Sequence, residues 1–94
     1  MEKIELFNAL ARKARPAHAD YTPIESLEVP WPETGLDSMD AMMVVIFLSD
    51  IYGIDEQTSK EMQFTTPAEL FSLVDQHKTK EPATLEEAME HVQW

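Results

Sequence analysis

No stretch of this chain alternates apolar and polar residues cleanly, as a half-buried β-strand does. The chain has only two glycines, Gly35 and Gly53, and few turn signals of the Asn-Gly or Asp-Gly type. Apolar residues instead recur three or four positions apart, between six prolines at positions 16, 23, 30, 32, 67 and 82. The pattern predicts an all-α fold of four or five short helices without a sheet.

The first helix is predicted over residues 2–15, where Ile4, Phe7 and Leu10 follow helical spacing. Pro16 is expected to end it, because proline lacks the N–H group that continues the helical hydrogen bonds. A long connection then separates this helix from the next one.

The connection carries structural signals of its own. Residues 22–25 (Thr-Pro-Ile-Glu) form a capping-box pattern with proline at the first helical position, so we expect one short helical turn there. Residues 29–32 (Val-Pro-Trp-Pro) are expected to be extended, because proline disfavours helical backbone in the residue before it. We expect Ile24, Leu27 and Trp31 to anchor the connection to the core.

The second main helix is predicted from Ser38 to Tyr52. Asp37 suits the N-cap, Asp40 lies in the first turn, where negative charge is favoured, and Gly53 suits the left-handed residue that ends many helices. Helical spacing predicts one buried stripe along this helix, formed by Ala41, Val44, Val45, Leu48 and Tyr52.

Three weaker signals complete the set of helices. Residues 58–63 are expected to form a short helical piece. Residues 66–69 (Thr-Pro-Ala-Glu) and 84–87 (Thr-Leu-Glu-Glu) repeat the capping-box pattern, and each predicts the start of a helix. We expect residues 84–93 to dock on the domain, because an isolated helix of about ten residues is not stable in water.

The chain has 94 residues, enough for one small domain, and a formal net charge of −11. Such a surface repels nucleic-acid phosphates and anionic lipids, so we expect no nucleic acid and no membrane insertion, but partners with basic patches. Cysteine is absent, which excludes disulfides, thiolate metal sites and a cysteine nucleophile. With no signal-peptide pattern and no apolar run of membrane-spanning length, we expect a monomer in the cytoplasm.

The segment from Gly35 to Asp40 (Gly-Leu-Asp-Ser-Met-Asp) resembles the Gly-x-Asp-Ser-Leu-Asp motif of the acyl carrier protein family. Residues 64–67 (Phe-Thr-Thr-Pro) are similar to the family's apolar-Thr-Thr segment. The resemblance extends over residues 1–78 and implies a small four-helix bundle with a long loop between the first two main helices. Residues 79–94 are then a C-terminal extension, which we expect to add a helix.

Ser38 matches the family's carrier serine. The resemblance implies that the chain is not an enzyme: a phosphopantetheinyl transferase attaches 4′-phosphopantetheine from coenzyme A to Ser38, and the thiol of this arm holds an acyl group as a thioester. Gly35, Asp37 and Met39 are the neighbouring residues expected to contribute to the site. A serine in the first turn of a helix suits this chemistry, because unpaired N–H groups and the helix dipole favour a phosphodiester there.

Two sets of residues are expected to contact partners and cargo. Met39, Met42, Met43 and Ile46 share one helical face, and flexible methionine side chains suit a docking surface. With their acidic neighbours, the expected partner-binding residues are Asp40, Met42, Met43, Ile46 and Asp50. The resemblance places the acyl chain between the motif helix and the last family helix, against Val45, Leu48, Phe64, Leu70 and Phe71.

Where fatty-acid carriers place glutamates on the motif helix, this chain has Met43, Ser49 and Asp50. We therefore expect a specialised carrier for a lipid, lipopolysaccharide, polyketide or aminoacyl product rather than for general fatty-acid synthesis. One alternative is an unmodified helical adaptor that binds a partner through the methionine face. A hydrolase using Ser38 and His77 is a weaker one, because no nucleophile-elbow spacing surrounds the serine. The histidines are too scattered to predict a metal site.

Overall fold

The computed structural model describes residues 2–15, 21–90 and 92. These residues form five α-helices, one 3₁₀ turn and no β-strand, so the all-α prediction is confirmed. The helices are α1 (Lys3–Ala14), α2 (Ser38–Tyr52), α3 (Glu56–Lys60), α4 (Pro67–His77) and α5 (Leu85–Glu90), and the 3₁₀ turn is Trp31–Thr34. None of these helices is long and apolar enough to cross a bilayer. Pro16, the expected end of the first helix, lies outside the described residues.

The core forms where α2 packs against α1 and α4. Each of the two outer helices presents one apolar face to α2. The buried residues on these faces are Leu6, Phe7, Leu10 and Ala11 from α1, with Pro67, Leu70, Phe71 and Val74 from α4.

The buried face of α2 differs in part from the predicted stripe. Its buried hydrophobic residues are Val44, Phe47, Leu48, Ile51 and Tyr52. Ala41 and Val45, which were expected among them, are only half-buried. Helical spacing in this apolar segment fits either set, and packing against α1 and α4 selects the set that carries Phe47 and Ile51.

Local hydrogen bonds fix both ends of α2. Asp37 Oδ1 accepts the Asp40 N–H at 2.8 Å, and Asp40 Oδ2 accepts the Asp37 N–H at 3.4 Å, which completes a capping box. At the other end Gly53 has φ +66°, in the left-handed region, and its N–H donates to the Ser49 carbonyl. The predicted bounds of this helix are confirmed.

The short helix α3 begins two residues earlier than predicted and ends before residue 63. Asp55 is its N-cap, because its side chain accepts hydrogen bonds from the Thr58 N–H and the Thr58 hydroxyl. The same bonds hold the pKa of Asp55 below its ordinary value. Because this aspartate cap lies upstream of the predicted start, the helix begins earlier than predicted.

The predicted N-caps of the last two helices are confirmed. Thr66 Oγ1 accepts the Glu69 N–H at 3.1 Å, and Thr84 Oγ1 accepts the Glu87 N–H at 3.1 Å. The return bonds differ from those of a strict capping box. Glu69 and Glu87 accept from the backbone N–H of the residue before the cap, Thr65 and Ala83 respectively.

The predicted helical turn at residues 22–25 is wrong. The chain there is irregular, because the Asn8 side chain on α1 takes up its hydrogen bonds. Asn8 Oδ1 accepts the Ile24 N–H at 3.0 Å and the Tyr21 hydroxyl at 2.6 Å, and Asn8 Nδ2 donates to the Ile24 carbonyl at 3.2 Å. A side chain distant in sequence therefore overrides the local capping signal.

The prediction that residues 29–32 are wholly extended is also wrong, since Trp31 begins a 3₁₀ turn. Pro32 fits in this turn because the first residues of a helix need no N–H donor. Pro30 keeps the extended backbone expected of a residue before such a turn, with ψ 140°. Ile24 is buried, while Leu27 and Trp31 are half-buried against the core, so all three expected anchors are confirmed.

The C-terminal segment packs into the same core as the rest of the chain. The Thr79 N–H and the Lys80 N–H both donate to the Tyr52 carbonyl, at 2.9 and 3.2 Å, where α2 ends. Helix α5 packs against α1, and Ala88 and Val92 are buried in the core. The expected docking of this segment is confirmed for Leu85–Glu90 and Val92; residues 91 and 93 lie outside the described residues.

Candidate functional site

Ser38 occupies the first position of α2, directly after a tight turn. Gly35 has φ +82°, a left-handed conformation that favours glycine, and it lets the chain reverse from the 3₁₀ turn into the helix. Leu36 follows and is buried, which anchors the turn to the core. Ser38 itself is exposed, and its hydroxyl has no hydrogen-bond partner among the described residues.

The first turn of α2 leaves two donors next to this hydroxyl. Asp37 and Asp40 use each other's N–H groups in the capping box. The N–H groups of Ser38 and Met39 lie too near the helix start to bond within the helix. An anion attached to the Ser38 oxygen would lie beside these donors and at the positive end of the helix dipole. The residues present therefore fit a serine-linked phosphodiester.

Arg15 connects the end of α1 to this turn. Its Nη1 donates to the Gly35 carbonyl at 2.6 Å and lies 3.4 Å from Asp40 Oδ2. The place of Arg15 at the site was not predicted from the sequence, although one signal was present: residues 16–59 contain no Lys or Arg, while the motif contains two aspartates.

The structure corrects the expected role of Asp40 as a partner contact. Only 5% of this residue is exposed, because its carboxylate completes the capping box and meets Arg15. Asp50, the other acidic residue assigned to partners, is exposed on α2.

An apolar groove of about 440 Å³ includes Ser38 in its lining. Helix α2 forms one wall, and α3 with the segment that follows it forms the other. The remaining lining residues are Ala41, Met42, Val45, Ile46, Glu56, Ser59, Lys60, Met62 and Phe64. The groove offers an apolar surface next to the serine hydroxyl.

Only part of the expected acyl pocket lines this groove. Val45 and Phe64 do so. Leu48, Leu70 and Phe71 do not, and each is at most 2% exposed within the core. These three residues lie in the core and not in the groove, because the closely packed side of α2 faces α1 and α4 and the open side faces α3.

The methionine face of α2 is not uniformly exposed. Met39 is 75% exposed and Met42 is 65% exposed. Met43 and Ile46 are half-buried, and Met43 packs against the core. The expected docking surface of four residues is therefore corrected to two exposed methionines, with Ile46 inside the groove.

Trp31 couples the far wall of the groove to the core. Its ring meets Phe7 edge-on at a centroid distance of 5.6 Å and Phe64 at 5.1 Å. Its backbone N–H also donates to the Thr65 carbonyl at 2.9 Å. The loop between α1 and α2 therefore fixes the position of Phe64. Ser59, Lys60 and Met62 of the same wall were not predicted from the sequence, because only the packing of α3 brings them to α2.

The geometry gives no support to the hydrolase alternative. Within the described part of the chain, no hydrogen bond joins Ser38 to His77, which is exposed at the end of α4. No cluster of three or more His, Cys, Asp or Glu side chains capable of holding a metal occurs among residues 2–15, 21–90 and 92. His18 and His91 lie outside those residues.

Comparisons of this chain with protein-family models, with curated proteins and with solved structures found no match.

Proposed function

We propose that this chain is a carrier protein that holds acyl intermediates as thioesters on a 4′-phosphopantetheine arm attached to Ser38. The observation that carries the proposal is the placement of Ser38: an exposed hydroxyl at the start of α2, beside two N–H groups without intrahelical partners and in the lining of an apolar groove. When bound, the arm supplies the thiol that this cysteine-free chain lacks.

The residues around Ser38 have separate roles in this proposal. Ser38 provides the attachment oxygen, and the N–H groups of Ser38 and Met39 stabilise the phosphodiester charge. Val45, Ile46 and Phe64 give an apolar surface to the arm and to an attached acyl chain. In this proposal α1 to α4 form an acyl-carrier-like four-helix bundle, and α5 is an addition to it.

The partners follow from the charge of the chain. A formal net charge of −11 favours enzymes with basic docking patches, namely a phosphopantetheinyl transferase and the enzymes that load and remove the acyl group. We propose a cytoplasmic monomer that serves a dedicated lipid, lipopolysaccharide, polyketide or aminoacyl pathway.

Intact mass spectrometry tests the proposal directly. The chain is incubated with coenzyme A and a phosphopantetheinyl transferase of broad specificity. We expect one addition of the phosphopantetheine mass to the wild type and to Ser72→Ala, which removes an exposed serine of α4. We expect no addition to Ser38→Ala. An unmodified wild type with several transferases contradicts the carrier function.

A second candidate is supported by the two exposed methionines. Met39 and Met42 present an apolar surface that suits a partner's groove, and it needs no modification of Ser38. An adaptor of this kind predicts that the unmodified chain and Ser38→Ala bind the partner equally well, whereas Met42→Glu does not.

A further inference from the structure

The Arg15 guanidinium joins three parts of the chain at one point. Arg15 caps the C-terminus of α1, and its Nη1 donates to the Gly35 carbonyl at 2.6 Å and lies 3.4 Å from the Asp40 carboxylate. Both charged side chains are shielded, with 22% of the Arg15 side chain and 7% of the Asp40 side chain exposed. Ser38 lies between the two residues that Arg15 contacts.

One hydrogen-bond donor of Arg15 is not used in this arrangement. The Arg15 Nε is buried without a hydrogen-bond partner among the described residues. A buried donor of this kind is unfavourable to folding. The Nη1 bonds to Gly35 and Asp40 are therefore the interactions that hold the guanidinium at the turn.

The negative charges around Ser38 indicate that Arg15 offsets charge in this turn. Asp37 and Asp40 both lie in the first turn of α2, and residues 16–59 contain no Lys or Arg. A phosphodiester on Ser38 adds a third negative charge to this turn. Among the residues that the structure describes, Arg15 is a cation from another helix that forms an ion pair with this turn.

We propose that Arg15 is a positioning residue for the modification of Ser38: it holds the turn from Gly35 to Asp40 and offsets its negative charge. This inference rests on the proposed function. In the transfer, the Ser38 oxygen forms a bond to phosphorus and the pyrophosphate bond of coenzyme A breaks. The adenosine bisphosphate leaves with the bonding electrons, and the serine proton passes to a base of the transferase.

Steady-state kinetics of the transferase reaction test the inference, with the carrier as the varied substrate. Arg15→Met removes the bonds to the turn. Arg12→Met is the matched control, because it removes one exposed cation from the same helix away from the turn. Arg15→Lys keeps the positive charge but replaces the planar guanidinium with a compact ammonium group. Circular dichroism and urea denaturation establish that each variant is folded.

We expect Arg15→Met to lower kcat about tenfold, because without the bonds of Arg15 to Gly35 and Asp40 the turn that carries Ser38 is held less firmly in the reactive position. Arg15→Lys is expected to lower kcat about threefold, and Arg12→Met to leave it unchanged. A purely structural role predicts a different pattern, because a partly unfolded carrier raises the apparent KM and leaves kcat as it was.

The outcomes separate this inference from the proposed function. If the wild type is modified and Arg15→Met reacts with the kcat of Arg12→Met, the inference is wrong and the carrier function stands. If no transferase modifies the wild type, both are wrong. If Arg15→Met does not fold, Arg15→Lys decides, and an unchanged kcat in that variant overturns the inference.

Discussion

Substituting Gly53 by alanine perturbs the contact between the end of α2 and the C-terminal segment. Gly53 has φ +66°, and a Cβ atom built on it would overlap Thr79 Oγ1 and lie 3.2 Å from Lys80 Cγ. The Thr79 hydroxyl donates to the Gly53 carbonyl at 2.6 Å, and the Thr79 backbone donates to Tyr52. The added methyl group therefore displaces a segment that hydrogen bonds hold in place.

The expected loss has two parts. A left-handed alanine is unfavourable by about 1–2 kcal/mol. Displacing Thr79 loses its hydroxyl bond, which contributes about 1 kcal/mol. We therefore expect Gly53→Ala to lower the free energy of unfolding by about 2–3 kcal/mol. Gly35→Ala is the matched control, because Gly35 has φ +82° but no atom within 4 Å of the built Cβ.

Urea denaturation monitored by circular dichroism measures both variants. Gly35→Ala is expected to lose only the conformational part, about 1–2 kcal/mol. In a Thr79→Ala background, the colliding hydroxyl is gone. Adding Gly53→Ala to that variant is therefore expected to lower the free energy of unfolding by about 1–2 kcal/mol, the conformational part alone. Equal losses for Gly53→Ala and Gly35→Ala in the otherwise unchanged chain would refute the contact between α2 and the C-terminal segment.

Two further predictions concern α2 and the contact between α1 and α4. Met42→Glu is expected to change the free energy of unfolding by less than about 0.5 kcal/mol, whereas Met43→Glu is expected to lower it by about 2 kcal/mol. The two variants differ because only Met43 packs against the core. Similar free energies for both variants in urea denaturation would contradict this burial. The hydrogen bond from Lys3 lowers the pKa of Asp75 from its ordinary 3.8, so its stabilisation is present above that value and is lost as the pH falls through the folded pKa. Asp75→Asn is therefore expected to lower the free energy of unfolding at neutral pH by at most about 1 kcal/mol, since the pair is solvent-screened. In strong acid the substitution is expected to have no effect. A difference in stability between Asp75→Asn and the wild type that does not change with pH would exclude the ion pair as its cause.

The helix bounds that depend on neighbouring residues were predictable from the sequence. Asp37 and Thr66 cap their helices through the N–H group three residues ahead, and Gly53 adopts the left-handed conformation that glycine favours. The same kind of local signal failed at residues 22–25, because Asn8 of α1 binds that backbone instead. The competing side chain is too distant in sequence for a local pattern to reveal it.

The candidate site likewise has one part that the local sequence predicts and another part that only tertiary packing decides. Ser38, its cap and the glycine turn belong to one continuous motif, so the sequence alone determined the place of the candidate serine at the start of a helix. The tertiary structure decided what surrounds them: Arg15 arrives from α1, Asp40 turns inward to meet it, and Phe64 forms a groove wall that Trp31 supports. Hydrogen bonds between near neighbours form wherever the backbone permits them. Burial and charge pairing depend on which distant segments pack together, and that packing is settled for the chain as a whole.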